Sequence, residues 1–230
     1  MMENSEDIIL QKIYRKIKSN NIEVEDLFEI LHKGGRKSVD FLTYVKTEYN
    51  WADISDNLIL SNGNRRIPFA TWADIICLYL EKGISALIIE AEKSNRWEFA
   101  IDILEEIKTE ESFDALNALL TLQEPVKDER KVLKIIAAMN FASFKDAPNI
   151  NKILADKTNN KILTVLDFYS KNFLKNNSKI AACLYSLRGI GDESTIEYIK
   201  SLPLIKDKRY FGLEKLVINS IKKRIKKIHE

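Results

Sequence analysis

Proline and glycine are scarce in this chain, at four and seven among 230 residues. Sheet-rich folds turn often and spend these residues on turns, so their scarcity argues against a sandwich or barrel and for helices. Cysteine is scarcer still. Cys77 and Cys183 each sit inside an apolar run (IICLYL and IAACLY), where a small residue packs well. No disulfide framework is expected, and a reducing cytoplasm is the natural location. No apolar run approaches the roughly 20 residues that span a bilayer. The longer ones, such as IICLYL and ISALII, are flanked by charge, so no membrane association is expected. The start, MMENSEDIILQKI, is acidic where a secretory signal would be basic.

Chemistry-bearing motifs are missing as well. The histidines are His32 and the penultimate His229, and neither has a spacing to Cys, Asp or Glu that predicts a metal site. There is no GxSxG, no glycine-rich phosphate loop and no CxxC. The carboxylate pairs Glu105-Glu106 and Glu110-Glu111 fall at helix ends and turns, where acids are ordinary. No catalytic residue, metal or cofactor is therefore expected, and the chain reads as non-enzymatic.

What is present is apolar residues at 45%, enough for a core, and an uneven distribution of charge. Residues 1–124 carry a net charge of −9 and residues 125–230 a net charge of +11, which together leave the chain at +2. Such a division can steer or orient a partner.

Helix signals follow one another closely. Ile8, Ile9, Ile13 and Ile17 fall on one face of a first helix, and VEDLFEIL runs into Gly34-Gly35, a helix stop. Two similar pentads, NWADI at 50–54 and TWADI at 71–75, read as helix starts. Asn50 and Thr71 would be the N-caps, with Asp53 and Asp74 three residues on. From residue 71 the pattern predicts helices over 71–82, 84–93, 96–107, 111–122, 127–141, 148–155, 160–175, 178–189 and 192–201, and a last one from 207.

These helices repeat in pairs. An offset of 83 aligns Ala100 with Cys183, Leu104 with Leu187, Ser112 with Thr195, Phe113 with Ile196 and Leu116 with Ile199. A middle unit over 137–153 fits at an offset of 37 through Ala137, Phe141, Phe144, Asp146, Ile150 and Ile153. Repeats near 40 residues of this kind bury their apolar faces only by stacking. The run IAACLYSLRGIGDESTIEYIKSL resembles a HEAT repeat, with small residues on a first helix, I-G-D-E in the turn and an I-x-x-I/L-x-x-L second helix. The resemblance is clear for 178–202, fair for 96–122 and weak for 127–155. It implies an all-α, right-handed superhelix over 95–230, with residues 1–94 as a helical N-terminal part continuous with it. HEAT-like arrays are mostly binding scaffolds.

One stretch departs from this pattern. LILSNGNRRIPF, residues 58–69, reads as a β-hairpin turning at Gly63-Asn64, with Leu60 facing Ile67 and Leu58 facing Phe69. Its apolar side would cap the helical stack. Its turn would present Arg65 and Arg66, which suit phosphate or carboxylate. Trp51, Trp72 and Trp97 open helices beside it or after it; they are core or cap residues unless exposed, in which case they are binding hot spots. With Glu106, Glu110 and Asp114 they complete the candidate partner-binding residues. The C-terminal LVINSIKKRIKKIHE is a basic amphipathic helix whose Lys222, Lys223, Arg224, Lys226 and Lys227 form a candidate basic patch.

The sequence thus leads to a cytoplasmic protein-binding scaffold. Its sharper version is a bacterial immunity or antitoxin-type protein whose acidic half imitates nucleic acid against a toxin. The alternative is a HEAT-like nucleic-acid binder, or an enzyme like the alkylpurine DNA glycosylases, using the basic half.

Overall fold

The computed structural model describes residues 5–19, 21–48, 69–124, 126–144, 150–171, 175–202 and 208–229. These form twelve helices and, among the described residues, no strand. The chain divides into two compact units, Met1–Ile107 and Lys108–Glu230.

The first unit holds α1 (Ser5–Lys18), α2 (Val24–Lys33), α3 (Gly35–Glu48), α4 (Phe69–Lys82), α5 (Ile84–Lys93) and α6 (Trp97–Ile107). On α1, Leu10, Ile13 and Ile17 are buried, whereas Ile8 faces solvent. Asp26 is only 4% exposed, yet it is satisfied twice over. It accepts from the Lys16 ammonium at 2.7 Å and from the Glu23 backbone N–H at 2.9 Å. The second bond belongs to a capping box that starts α2. That helix stops where the sequence predicts, at Gly34-Gly35. Both residues have positive φ, 62° and 78°, which a Cβ would oppose.

Helix α4 departs from expectation. Thr71 is not its N-cap, because the helix already begins at Phe69, and Phe69 is a buried helical residue rather than the end of a strand. The rest of the predicted hairpin, and the NWADI pentad with it, lies outside the described residues. Helix α6 packs on α4 and α5, and the division between the two units falls behind it.

The second unit holds α7 (Glu110–Leu122), α8 (Glu129–Phe144), α9 (Lys152–Ser170), α10 (Asn177–Leu187), α11 (Glu193–Ser201) and α12 (Lys208–His229). Cross-helix bonds occur in sequence order, so neighbours run parallel. Between α8 and α10, Lys179 pairs with Glu129 at 2.6 Å. The Ser186 hydroxyl donates to the Ile136 carbonyl at 2.7 Å, and Arg188 to the Asn140 side chain at 2.8 Å. Between α7 and α9, Asn151 reaches Glu110, and Lys161 reaches the Asn117 carbonyl and Thr121. Further along, Thr195 of α11 lies 3.0 Å from the Asn159 amide oxygen, and the Tyr198 hydroxyl donates to Asp167.

The 83-residue offset has a structural counterpart. Thr109 and Asp192 are N-caps of α7 and α11, and each is closed by a capping box with a fully buried hydroxyl residue, Ser112 and Thr195. Ala100 and Cys183, Leu104 and Leu187, and Leu116 and Ile199 are buried alike. The middle alignment fails. Ala137 is exposed, and Ile153, expected inside, is 82% exposed. The reason is α9, which is one helix of 19 residues where two were expected. Its polar middle, Thr158-Asn159, falls in the gap between the predicted helices 148–155 and 160–175 but is buried in the helix interior.

Helix α12 packs on α10 and α11. Gly191 makes this possible through closeness rather than through an unusual φ. A Cβ there would lie 2.7 Å from the Ile221 Cδ1 and 2.9 Å from the Leu187 carbonyl oxygen. Arg224, one turn beyond Ile221, donates to the Gly191 carbonyl at 3.0 Å.

Candidate functional site

In the first unit, an apolar groove of about 540 Å³ lies between α2 and α6. Four of its lining residues, Glu25, Phe28, Glu29 and His32, follow the i, i+3, i+4, i+7 spacing of one helix face, opposite the buried Leu27, Ile30 and Leu31. Lys33 and Glu106 complete the lining. His32 Nε2 stands 2.9 Å from the Glu106 carboxylate, the ring N–H donating. Below the groove Phe28 meets the edge of Trp72, with ring centres 5.3 Å apart. Trp72 in turn meets Phe99 at 5.5 Å. Trp72 is 2% exposed, so it braces the groove and is no surface hot spot.

Asp74, expected to return a hydrogen bond to a Thr71 cap, instead joins a chain of charges: Lys46 at 2.6 Å, Arg96 at 3.7 Å and, beyond Arg96, Glu90 at 2.7 Å. Burial pushes the Glu90 carboxyl up, but hydrogen bonds from Ser94 and Arg96 outweigh it and hold the group below its usual range. Cys77 lines the same depression, and burial, then Glu81 and Asp74, raise its thiol to about 11. Cys183 is raised to about 12 by burial. Neither thiol is tuned for nucleophilic work.

In the second unit, Glu110, Glu111 and Asp114 share a groove of about 790 Å³ with Asn151, Lys152, Ile153 and Lys157. The sequence candidates are thus divided. Glu106 joins the α2/α6 groove, and Glu110 and Asp114 join the α7/α9 groove. Trp72 is core and Trp97 is half-buried. Trp51, Arg65 and Arg66 lie outside the described residues. On α12, Lys222, Lys223, Lys226 and Lys227 are exposed, but Arg224 is half-buried and committed to Gly191. Among the described residues no three His, Cys, Asp or Glu are grouped to hold a metal ion, and no helix is long and apolar enough to cross a membrane.

No family model, curated protein or solved structure matches this chain. The sites must be read from their own geometry. Sequence reasoning missed the α2/α6 groove because it weighed His32 only for metal-ligand spacing and could not see Glu106 beside it. The signal was present in VEDLFEILHK, where acids, a phenylalanine and a histidine share the face that the aliphatic residues leave open.

Proposed function

We propose that this chain is a protein-binding scaffold of the immunity or antitoxin kind, cytoplasmic and bacterial, which engages a cationic partner through its acidic grooves. The observation that carries this reading is the α2/α6 groove, where Glu25, Glu29 and Glu106 surround a phenylalanine in an apolar depression. Protein-binding surfaces combine aromatic anchors with a charged rim in this way. The exposed Ile153 beside Glu110, Glu111 and Asp114, with Lys152 and Lys157 in the same lining, adds a second surface of mixed charge around an apolar side chain. The parallel neighbours of Lys108–Glu230 support a HEAT-like stack of helical hairpins, an architecture suited to extended contact.

The test is affinity capture from lysate of the source organism, with and without nuclease, using wild type and a Glu25→Lys/Glu29→Lys/Glu111→Lys/Asp114→Lys variant. One stoichiometric protein that survives nuclease and is lost by the variant is the expected result. A catch that vanishes with nuclease would overturn the proposal.

A second reading, contact with nucleic acid, is favoured by α12. Its exposed Lys222, Lys223, Lys226 and Lys227 share a stretch from residue 215 to 229 that contains no acid. Binding to duplex DNA that falls steeply with salt would support it; no binding at low salt would remove it.

A further inference from the structure

We infer that the outer face of α12 docks on duplex DNA through the phosphate backbone alone, without reading its sequence. This rests on the nucleic-acid reading above and adds the form of the nucleic acid and the kind of contact.

Lys215, Asn219, Lys222, Lys223, Lys226 and Lys227 follow the i, i+4, i+7, i+8, i+11, i+12 spacing of one helix face, and all six are exposed. The opposite face carries Val217, Ile218 and Ile221, which are buried. Arg224 lies on that side too and donates to the Gly191 carbonyl at 3.0 Å, so the helix is held with its lysines outward. Among the described residues, Lys215, Lys222, Lys223 and Lys227 have no ion pair, whereas the exposed Lys200 of neighbouring α11 pairs with Glu197 at 2.7 Å. Lys223 and Lys227 are like charges at i, i+4, a spacing that destabilises a helix. The helix dipole does not account for them. It favours cations within the last turn, and Lys215 and Lys222 stand about four and two turns before the end of α12.

Charge complementarity calls for a polyanion. The stripe from Lys215 to Lys227 is about 18 Å long, and a duplex carries about one negative charge per 1.7 Å of its axis. Phosphates therefore meet the lysines along the whole stripe. A membrane surface fits less well, because the apolar residues that would enter it are buried against the protein's own helices. An acidic protein fits less well too, since residues 215–229 hold no acid to answer the bases that such a surface also carries. Single strands are gripped by stacking bases on aromatic rings, and residues 212–227 contain none.

Arg224 decides how the duplex is met. A guanidinium is the side chain that reads guanine with two bonds, and here it is half-buried and committed to Gly191. The Ser220 hydroxyl donates to the Leu216 carbonyl. The lysines that remain are point charges, suited to phosphate and undemanding of the bases. They only donate, so they gain little from the 2′-hydroxyl on which recognition of duplex RNA leans. Asn219 is the side chain of the stripe that could read a base, and the test isolates it.

The test is fluorescence anisotropy of the full chain with two duplex DNAs of unrelated sequence, a single strand, a duplex RNA and phosphatidylserine–phosphatidylcholine vesicles. Both DNA duplexes should bind equally, with affinity falling linearly against salt on logarithmic axes. Lys215→Gln, Lys222→Gln, Lys223→Gln and Lys227→Gln should each lower that slope by about 1 for both duplexes, with the far-ultraviolet circular dichroism unchanged. Lys222→Arg/Lys223→Arg should keep the slope, and Asn219→Ala should leave binding as it was. Unequal duplexes, or a loss with Asn219→Ala, would show base readout; this inference would fall and the nucleic-acid reading would stand. Tighter binding of the single strand or the RNA would have the same consequence. A slope that the lysine substitutions do not move would place the DNA elsewhere and overturn the docking face. Vesicles bound in place of DNA, or no duplex bound at low salt, would remove the inference and the reading together.

Discussion

Asp192 shows how much one side chain can organise. As N-cap of α11 it accepts from the Thr195 backbone N–H at 2.8 Å and from the Ser194 hydroxyl at 2.8 Å. Burial alone would raise its pKa, but these bonds, with that of the Thr195 hydroxyl, outweigh burial and hold it below the usual aspartate range. Asp192→Ala should cost about 1 kcal/mol, measured by urea unfolding at neutral pH. Because the folded pKa is the lower one, this stability is complete above the ordinary aspartate range and is lost as pH falls through the folded value. The difference between Asp192→Ala and wild type should therefore close in strongly acidic solution and persist on the alkaline side. Thr158 is the opposite case. It is fully buried in α9, and among the described residues its hydroxyl has no hydrogen-bond partner. Thr158→Val keeps the shape and removes the unsatisfied oxygen, so it should raise stability by about 1 kcal/mol. An equal loss in the same unfolding measurement would show that the hydroxyl is satisfied in solution.

At the scale of elements, α12 sits close against the turn between α10 and α11. Gly191→Ala would drive a methyl group into Ile221, a core side chain, and into the Leu187 carbonyl oxygen. A loss of about 1–3 kcal/mol is expected. Hydrogen exchange should place the damage in α12 and the start of α11, with Met1–Ile107 unaffected; uniform loosening of the whole chain would contradict this packing. Much of the element list was legible in the sequence because apolar spacing reports directly on which face is buried. The helices ending at Gly34 and those matched at an offset of 83 lie where the pattern puts them. The errors came from polar residues. Thr158-Asn159 looked like a break because a sequence does not show that a neighbouring helix can take up a polar group, as Thr195 does for Asn159. Asp74 looked like the partner of a Thr71 cap because its actual partners, Lys46 and Arg96, are 28 and 22 positions away. The α2/α6 groove was hidden for the same reason, since Glu106 meets His32 across 74 residues.

For the whole molecule, charge is the property that sequence alone conveys best. The acidic candidates lie within residues 1–124 and the exposed lysines of α12 within 125–230, stretches with net charges of −9 and +11. Both proposed modes of binding weaken as salt rises, so salt alone cannot separate them. Charge reversal can. Glu25→Lys/Glu29→Lys should weaken a cationic protein partner in calorimetry and leave duplex DNA bound as before or tighter. Lys222→Glu/Lys226→Glu should weaken only the DNA, read by fluorescence anisotropy. The parallel neighbours of Lys108–Glu230 also bear on how this part of the chain comes together. Bonds between α8 and α10 join residues 50, 50 and 48 positions apart, and those between α7 and α9 join residues 41, 44 and 40 apart. Each of these contacts therefore closes a loop of similar, moderate length, and because closure entropy grows only slowly with length, no one of them is much costlier to form than the next.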